Sequence, residues 1–191
     1  MKKQIILASV SPRRKMLLKL LRIKFKAVDS GYKEIMHKHL SHHELVKFLA
    51  LGKAEAAAKK YPQSIIIAAD TVVYFKGKAV GKPKNKADAF SMLKSFSGKA
   101  QELVTGVVVM DSENKIILSK VFKDKIYFRN LSNSQIAAYI KSGESLDKAG
   151  GYGPLGKGIN LVKKLEGDYT AALGLPMEFV VNALLKLGVE V

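Results

Sequence analysis

Two adjacent arginines, Arg13 and Arg14, are the residues whose type and spacing most clearly indicate chemistry. Only four of the 33 basic residues are arginine, and these two fall in the first turn of a predicted helix that begins at Pro12. Arginine binds a phosphate through paired hydrogen bonds, whereas lysine offers a point charge. The free N–H groups of a helix start attract anions, and two cations there oppose the helix dipole unless an anion also binds. The pair therefore indicates a phosphate site, with a solvated basic turn as the alternative.

A single acidic residue, Asp70, interrupts an otherwise apolar stretch from Ile65 to Phe75. A carboxylate is costly to bury in such a setting unless it is paired. It can serve function or cap the turn after a strand, and the residues alone weigh these two explanations about equally. We expect Asp70 at the end of a central strand. Because α/β folds place ligand sites there, the position favours a functional role.

Three other motifs have simple structural explanations when each is taken alone. Lys82 lies in Gly81-Lys82-Pro83, where proline fixes the loop, but a plain surface lysine is the better explanation of this motif alone. Lys53 flanks the apolar stripe of a predicted helix, and such a lysine usually reaches solvent along its own aliphatic chain. The glycine-rich segment 147–153 allows close backbone approach to a ligand and also suits a flexible connection.

The elements that must position these residues alternate between helix and strand, which is typical of an α/β fold with a mixed sheet. The apolar run before Asp70 predicts a fully buried central strand, and Ser41 with Glu44 forms a capping box that opens a long helix. We predict strands at 4–8, 24–28, 64–69, 71–75, 103–110, 115–129 and 159–166, and helices at 12–22, 41–60, 85–95, 132–142 and 176–187.

The bulk composition restricts the function classes. The chain has 191 residues, 48% of them hydrophobic, no cysteine and a formal net charge of +17. It can form a substantial core but no disulfide or thiolate metal site. The first apolar run is too short for a signal peptide, and no stretch approaches the roughly 20 residues of a membrane span, so we expect a cytoplasmic protein without a membrane partner. The four histidines, from His37 to His43, match no zinc spacing and predict a solvated loop.

Taken together, the motifs resemble those of the Maf family of nucleotide pyrophosphatases, in the family's order and over nearly the whole chain. The blocks that carry the resemblance are Leu7-Ala8-Ser9-Val10-Ser11-Pro12-Arg13-Arg14, Ala69-Asp70-Thr71-Val72-Val73, Gly81-Lys82-Pro83, Ser97-Gly98-Lys99, Val104-Thr105-Gly106, Asp147-Lys148-Ala149-Gly150-Gly151-Tyr152-Gly153 and Gly174-Leu175-Pro176.

The resemblance implies both a fold and a reaction. The expected fold is α/β, a mixed twisted sheet with flanking helices in two lobes around a central cleft, with residues 1–191 as a single Maf-like domain. This expected fold is similar to that of the inosine triphosphate pyrophosphatases. The expected reaction is hydrolysis of the α–β phosphate bond of a nucleoside triphosphate, giving the monophosphate and pyrophosphate. The expected cofactor is a divalent metal, Mg²⁺ or Mn²⁺.

The resemblance also implies a role for each matching position. Asp70 corresponds to the general base and to a metal ligand, and Glu34 to a second metal ligand. The positions that correspond to substrate-binding residues are Ser9, Arg13, Arg14, Lys53, Thr71, Lys82 and Leu155. These residue types suit phosphoryl transfer, which depends on positioning and charge neutralisation more than on covalent chemistry.

Two positions depart from the family pattern and bear on specificity. The block at 147–152 is most similar to the subfamily that acts on dTTP and UTP, yet Leu155 stands where that subfamily has glutamine, and Gln101 where the family usually has histidine. A modified nucleotide or an inosine triphosphate-type substrate is therefore an alternative. A different class of function is a non-catalytic or regulatory nucleotide- or nucleic-acid-binding protein linked to cell division. The chain lacks a nucleic-acid motif and basic–aromatic interleaving, so no specific nucleic acid is expected; a homodimer is compatible with the sequence.

Overall fold

A computed structural model of the protein describes residues 3–34 and 39–191. His37 of the expected histidine loop lies outside the described residues, and His42 and His43 begin a helix rather than belonging to a loop. The chain forms two compact units. Unit 1 comprises residues 1–71, 105–122 and 174–191, and unit 2 comprises residues 72–104 and 123–173.

The elements alternate between helix and strand, as the sequence predicts. The helices are α1 (Pro12–Lys19), α2 (His42–Lys60), α3 (Lys86–Phe96), α4 (Asn133–Lys141), α5 (Tyr169–Ala172) and α6 (Met177–Lys186). The strands are β1 (Gln4–Leu7), β2 (Lys26–Ala27), β3 (Ser64–Phe75), β4 (Lys78–Val80), β5 (Ala100–Asp111), β6 (Ile116–Phe128) and β7 (Val162–Glu166). Together they confirm the mixed α/β fold class.

Unit 1 has the strand order β2-β1-β3-β5-β6. Strand β1 pairs in parallel with both neighbours, with Ile6 opposite Ile66 of β3 and opposite Lys26 of β2. Helix α2 covers the sheet very closely, because a Cβ on Gly106 of β5 would meet the backbone carbonyl carbon of Val46 at 2.6 Å. Small and aliphatic side chains fill this core, namely Ile6, Ala8, Ala50, Ala54, Ala57, Ile66, Ala68, Val108 and Met110.

Two antiparallel pairings of the mixed sheet involve strands of unit 2. Strand β4 pairs with β3 and β7 pairs with β6. The core of unit 2 is richer in aromatic side chains than that of unit 1, and the Phe128 ring lies edge-on to Tyr152 with centroids 4.6 Å apart. The buried members of this core are Val73, Ala89, Leu93, Phe96, Leu103, Ile126, Phe128, Ile136, Tyr139, Ile140, Tyr152, Leu161 and Ala172.

The structure differs from the sequence predictions at three places. Strand β3 runs unbroken from Ser64 to Phe75, so the expectation that Asp70 ends a strand is wrong; the carboxylate lies within the strand because it is paired. The predicted strand at 159–166 begins only at Val162, after a 3₁₀ turn over Gly156–Leu161. Strand β4 and the short helix α5 were not predicted, being too short for a periodic signal. No helix in the described part of the chain is long and apolar enough to cross a membrane.

Candidate active site

The buried carboxylate of Asp70 is at the centre of a charged group in unit 1. Its side chain is only 10% exposed, and it accepts a hydrogen bond from the ammonium of Lys53. The same nitrogen lies 2.6 Å from Oε1 of Glu34. One lysine thus bridges two carboxylates that are 36 residues apart in sequence, so pairing offsets the cost of burying Asp70.

Helix α2 positions Lys53. Its N-terminus is fixed by the predicted capping box, in which the Ser41 hydroxyl accepts from the Glu44 N–H and the Glu44 carboxylate accepts from the Ser41 N–H. Buried residues such as Leu49 and Ala50 seat the helix on the sheet, which directs Lys53 towards β3. The lysine that sequence reasoning would leave as a solvated side chain is therefore only 12% exposed.

The segment that carries Glu34 is held against the same helix. The Tyr32 ring lies where a side chain on Gly52 would be, since a Cβ there would come within 2.5 Å of the ring. The Tyr32 N–H donates to the Ser30 hydroxyl, and Lys60 donates to the Ser30 carbonyl at 3.3 Å. Glycine in a helix interior costs about 1 kcal/mol relative to alanine. The close approach of the Tyr32 ring explains why position 52, next to Lys53, is a glycine.

The Arg14 side chain is fixed by three hydrogen bonds within unit 1. Its Nε donates to the Gly174 carbonyl at 2.8 Å, and its terminal nitrogens donate to the hydroxyls of Ser9 and Thr71 at 3.4 and 3.3 Å. The Thr71 hydroxyl oxygen lies 3.0 Å from that of Thr105, which is fully buried. Four of the residues that the sequence motifs quote thus meet around one guanidinium.

The Arg14 guanidinium keeps donor capacity towards a ligand. Burial lowers the pKa of Arg14, whereas the neighbouring charges of Asp70 and Glu34 favour its charged form, and arginine stays protonated in proteins. Of its five N–H groups, the three bonds above leave one on each terminal nitrogen without a partner among the described residues. Arg13 is half-buried on the same helix turn and has no ion-pair partner in the described part of the chain. This pair can hold a phosphate.

The carboxylate pair fits a hard divalent cation. Asp70 and Glu34 already converge on one cationic nitrogen, and oxygen ligands are what Mg²⁺ and Mn²⁺ prefer. Within residues 3–34 and 39–191 no group of three or more acidic, histidine or cysteine side chains could hold a metal. Mg²⁺ commonly binds through one or two carboxylates with phosphate oxygens completing its shell, so two carboxylates suit a metal that arrives with a phosphate substrate.

The remaining predicted site residues, Lys82 and Leu155, belong to unit 2. The Gly150 N–H donates to the Gly81 carbonyl at 2.9 Å, which joins the loop carrying Lys82 to the predicted glycine-rich segment. Gly150 has a φ of +72°, which favours glycine over any other residue. Lys82 is exposed and Leu155 is half-buried.

The sequence alone did not identify the residues that support the site residues without facing the ligand. Thr105 and Gly174 stand out in the sequence only as parts of the motifs Val104-Thr105-Gly106 and Gly174-Leu175-Pro176. The sequence signal at Gly174 is the glycine itself, and the structure shows why it is needed: its φ is +104° and it lies close to Arg14 and Thr71. Tyr32 gave no signal, because its partner Gly52 lies 20 residues away.

Comparisons with known proteins show the family of the chain. The family model described as Maf-like protein matches residues 4–187. The chain is 41% identical over 186 residues to the dTTP/UTP pyrophosphatase of Geobacillus sp. (strain WCH70), covering 97% of this chain and 99% of that one. It is 42% identical over 189 residues to the dTTP/UTP pyrophosphatase of Dictyoglomus thermophilum, covering 98% of each.

A solved structure extends the likeness to the fold. The Ham1 protein of Staphylococcus aureus matches with a TM-score of 0.50 and 16% identity over 97% of both chains, which at that identity is a likeness of fold alone. With the matched family model and these relatives, the class is that of Maf-like α/β proteins. The chain belongs to the Maf family, which confirms the resemblance seen in its motifs.

Proposed function

We propose that the protein hydrolyses a nucleoside triphosphate between its α- and β-phosphates, releasing the monophosphate and pyrophosphate. The observation that carries the proposal is the buried Asp70, paired with Lys53, which also pairs with Glu34, beside the guanidinium of Arg14. Such a group of opposite charges suits a polyanion and a cation that bind together. The relatives named dTTP/UTP pyrophosphatases support the same reaction and substrate class.

Asp70 is the group that orients and deprotonates the attacking water. The water oxygen attacks the α-phosphorus, its proton passes to the Asp70 carboxylate, and the bond from the α-phosphorus to the bridging oxygen breaks. Pyrophosphate leaves with the electrons of that bond. A positioned base of this kind contributes about 10²–10⁴-fold to the rate.

The cations and hydroxyls of the site hold the phosphates during the reaction. Arg13 and Arg14 donate hydrogen bonds to phosphate oxygens, and Ser9 adds a hydroxyl next to Arg14. Lys53 neutralises charge beside Asp70, and Lys82 supplies a further cation. These groups stabilise the negative charge that accumulates on the oxygens as the bond breaks.

Glu34 and Asp70 would hold the divalent metal. When bound, Mg²⁺ or Mn²⁺ polarises phosphate oxygens and neutralises their charge. The Glu34 side chain is half exposed, so it can exchange Lys53 for another cation without first leaving a buried position. Glu34 would fix the cation on the side of the site where Asp70 lies.

Leu155 alters the choice of base. An amide at this position offers a donor and an acceptor to a pyrimidine edge, and leucine offers neither. We expect this chain to discriminate less sharply for dTTP and UTP than a chain with glutamine there, and modified nucleotides to be accepted. Leu155→Gln should therefore raise the kcat/KM ratio of UTP and dTTP over the other nucleotides.

The decisive experiment measures pyrophosphate and monophosphate from a panel of standard and modified nucleoside triphosphates with Mg²⁺ or Mn²⁺. Asp70→Asn keeps the shape of the side chain and removes the base. The matched control is Asp111→Asn, because Asp111 is also buried and also paired to a lysine, with Lys3 Nζ at 2.8 Å.

The proposal expects turnover in the wild type, a loss of at least a hundredfold in Asp70→Asn, which is about the lower limit for a general base, and near-wild-type turnover in Asp111→Asn. If no nucleotide yields pyrophosphate with either metal, the enzyme proposal fails. The nucleotide- or nucleic-acid-binding alternative would then be tested by the salt dependence of its affinity.

A further inference from the structure

The Thr105 hydroxyl lies behind the site rather than in it. Its side chain is fully buried, so it cannot touch a phosphate itself. Its oxygen is 3.0 Å from the Thr71 hydroxyl oxygen, and Thr71 in turn accepts from Arg14 at 3.3 Å. A buried hydroxyl is therefore linked to the guanidinium through one intermediate.

The arrangement of these hydrogen bonds determines how Thr105 can affect Arg14. The Thr71 hydroxyl has one proton and two acceptor positions, and Arg14 occupies one of the acceptor positions. The bond with Thr105 further restricts the rotation of the Thr71 hydroxyl. The Gly174 carbonyl holds Nε of the same guanidinium at 2.8 Å, so Arg14 is held on the Nε side by backbone and on the Nη2 side by the threonine pair.

We infer that Thr105 is a positioning residue for substrate binding, acting through Thr71 to hold Arg14 in the orientation that receives a phosphate. The inference rests on the proposed function. It adds a residue that neither touches the substrate nor belongs to the charged group around Asp70. Fixing a binding side chain before the ligand arrives reduces the entropy that must be lost on binding.

Two variants separate the hydroxyl from the shape of the side chain. Thr105→Val keeps the shape and removes the hydroxyl, whereas Thr105→Ser keeps the hydroxyl and removes a buried methyl. We expect Thr105→Val to raise both KM and the Kd for inorganic triphosphate about fivefold, the factor that corresponds to one neutral hydrogen bond, with kcat less affected. Thr105→Ser should restore both constants while lowering the melting temperature, since a buried methyl is lost.

A double mutant tests the route through Thr71. If Thr105 acts through that hydroxyl, Thr71→Val and Thr105→Val together should weaken triphosphate binding no more than Thr71→Val alone. Thr170→Val is the matched control in unit 2: it removes a hydroxyl that donates to Asp168 at 2.6 Å. It should leave KM and Kd unchanged.

The outcomes distinguish this inference from the proposed function. A wild type that hydrolyses nucleotides, with a Thr105→Val variant that binds triphosphate as tightly, refutes the positioning role and leaves the enzyme proposal intact. Additive effects in the double mutant, or Thr105→Ser weakening binding more than Thr105→Val, also refute it. A wild type without hydrolysis that still binds triphosphate in a Thr105-dependent way refutes the enzyme proposal and retains the positioning role.

Discussion

Replacing Gly52 by alanine tests whether the packing of Tyr32 on helix α2 positions Glu34. A Cβ at residue 52 would lie 2.5 Å from Cε2 and 2.8 Å from the hydroxyl oxygen of Tyr32. Carbon atoms in contact are usually about 3.5–4.0 Å apart, so the ring must move by about 1 Å or more. Because Glu34 lies two residues further along the chain, the movement should reach its carboxylate.

The magnitude follows from two opposing terms. Overpacking a contact of this kind costs about 1–3 kcal/mol, and alanine is better than glycine in a helix by about 1 kcal/mol. We therefore expect a net loss of stability of at most about 2 kcal/mol, or a fall of about 4–8 °C in the melting temperature for a chain of this size. The larger effect should be on the metal, since disturbing the support of a ligand typically weakens metal affinity about 10–100-fold.

The assay is the Mg²⁺ or Mn²⁺ concentration that gives half-maximal pyrophosphate release, measured with thermal unfolding of the same samples. The double variant Tyr32→Ala with Gly52→Ala is the control. Without the ring, alanine at 52 should be more stable than glycine by about 1 kcal/mol, so the double variant should melt above Tyr32→Ala alone. Unchanged metal dependence in Gly52→Ala, with an equal or higher melting temperature, would show that Tyr32 does not position Glu34.

Three further changes test the structure elsewhere. Burial raises the pKa of Asp124 to about 6, so the folded protein keeps this proton to a higher pH than the unfolded chain does. The free energy of unfolding should therefore fall by up to about 3 kcal/mol as the pH rises from about 4 to 6. Asp124→Asn should flatten that part of a plot of melting temperature against pH, and an unchanged slope would count against this role of Asp124. Both amide atoms of the buried Gln101 lack partners in the described residues, so Gln101→Leu should raise the melting temperature by the equivalent of about 1 kcal/mol, and a fall would mean that the amide is satisfied. Gly106→Ala should destabilise by about 1–3 kcal/mol in urea unfolding, because its Cβ would enter the Val46 backbone; a neutral result would show that α2 can move.

Residue type and local spacing predicted the alternation of helices and strands and indicated the candidate site residues. They did not predict the hydrogen-bond and ion-pair partners of those residues. Asp70 and Arg14 stand out because a carboxylate in an apolar run and an arginine at a helix start are each locally unfavourable. Their partners are distant in sequence: Lys53 is 17 residues from Asp70, and the Gly174 carbonyl is 160 residues from Arg14. Tertiary packing decides such pairings, and no local pattern encodes them.

The same limit explains why the strand through Asp70 was misjudged. A carboxylate in a strand is unfavourable only if it has no partner, and a sequence-based prediction has to assume that it has none. Once Lys53 neutralises Asp70, the strand can continue to Phe75 without an unpaired buried charge. The error in the strand boundary and the selection of Asp70 as a candidate site residue therefore have one cause.

The charges of the site also support the proposal that a cation binds together with the substrate. Arg13, Arg14 and Lys53 carry three positive charges against the two negative charges of Asp70 and Glu34, which leaves a small positive surplus. In the absence of a ligand, Lys53 pairs with both carboxylates. A triphosphate brings more negative charge than this surplus can neutralise, and it places phosphate oxygens beside two carboxylates. A divalent cation removes that repulsion, so triphosphate affinity should increase when Mg²⁺ is added, and the increase should be smaller in Glu34→Gln, where one of the two carboxylate charges is missing.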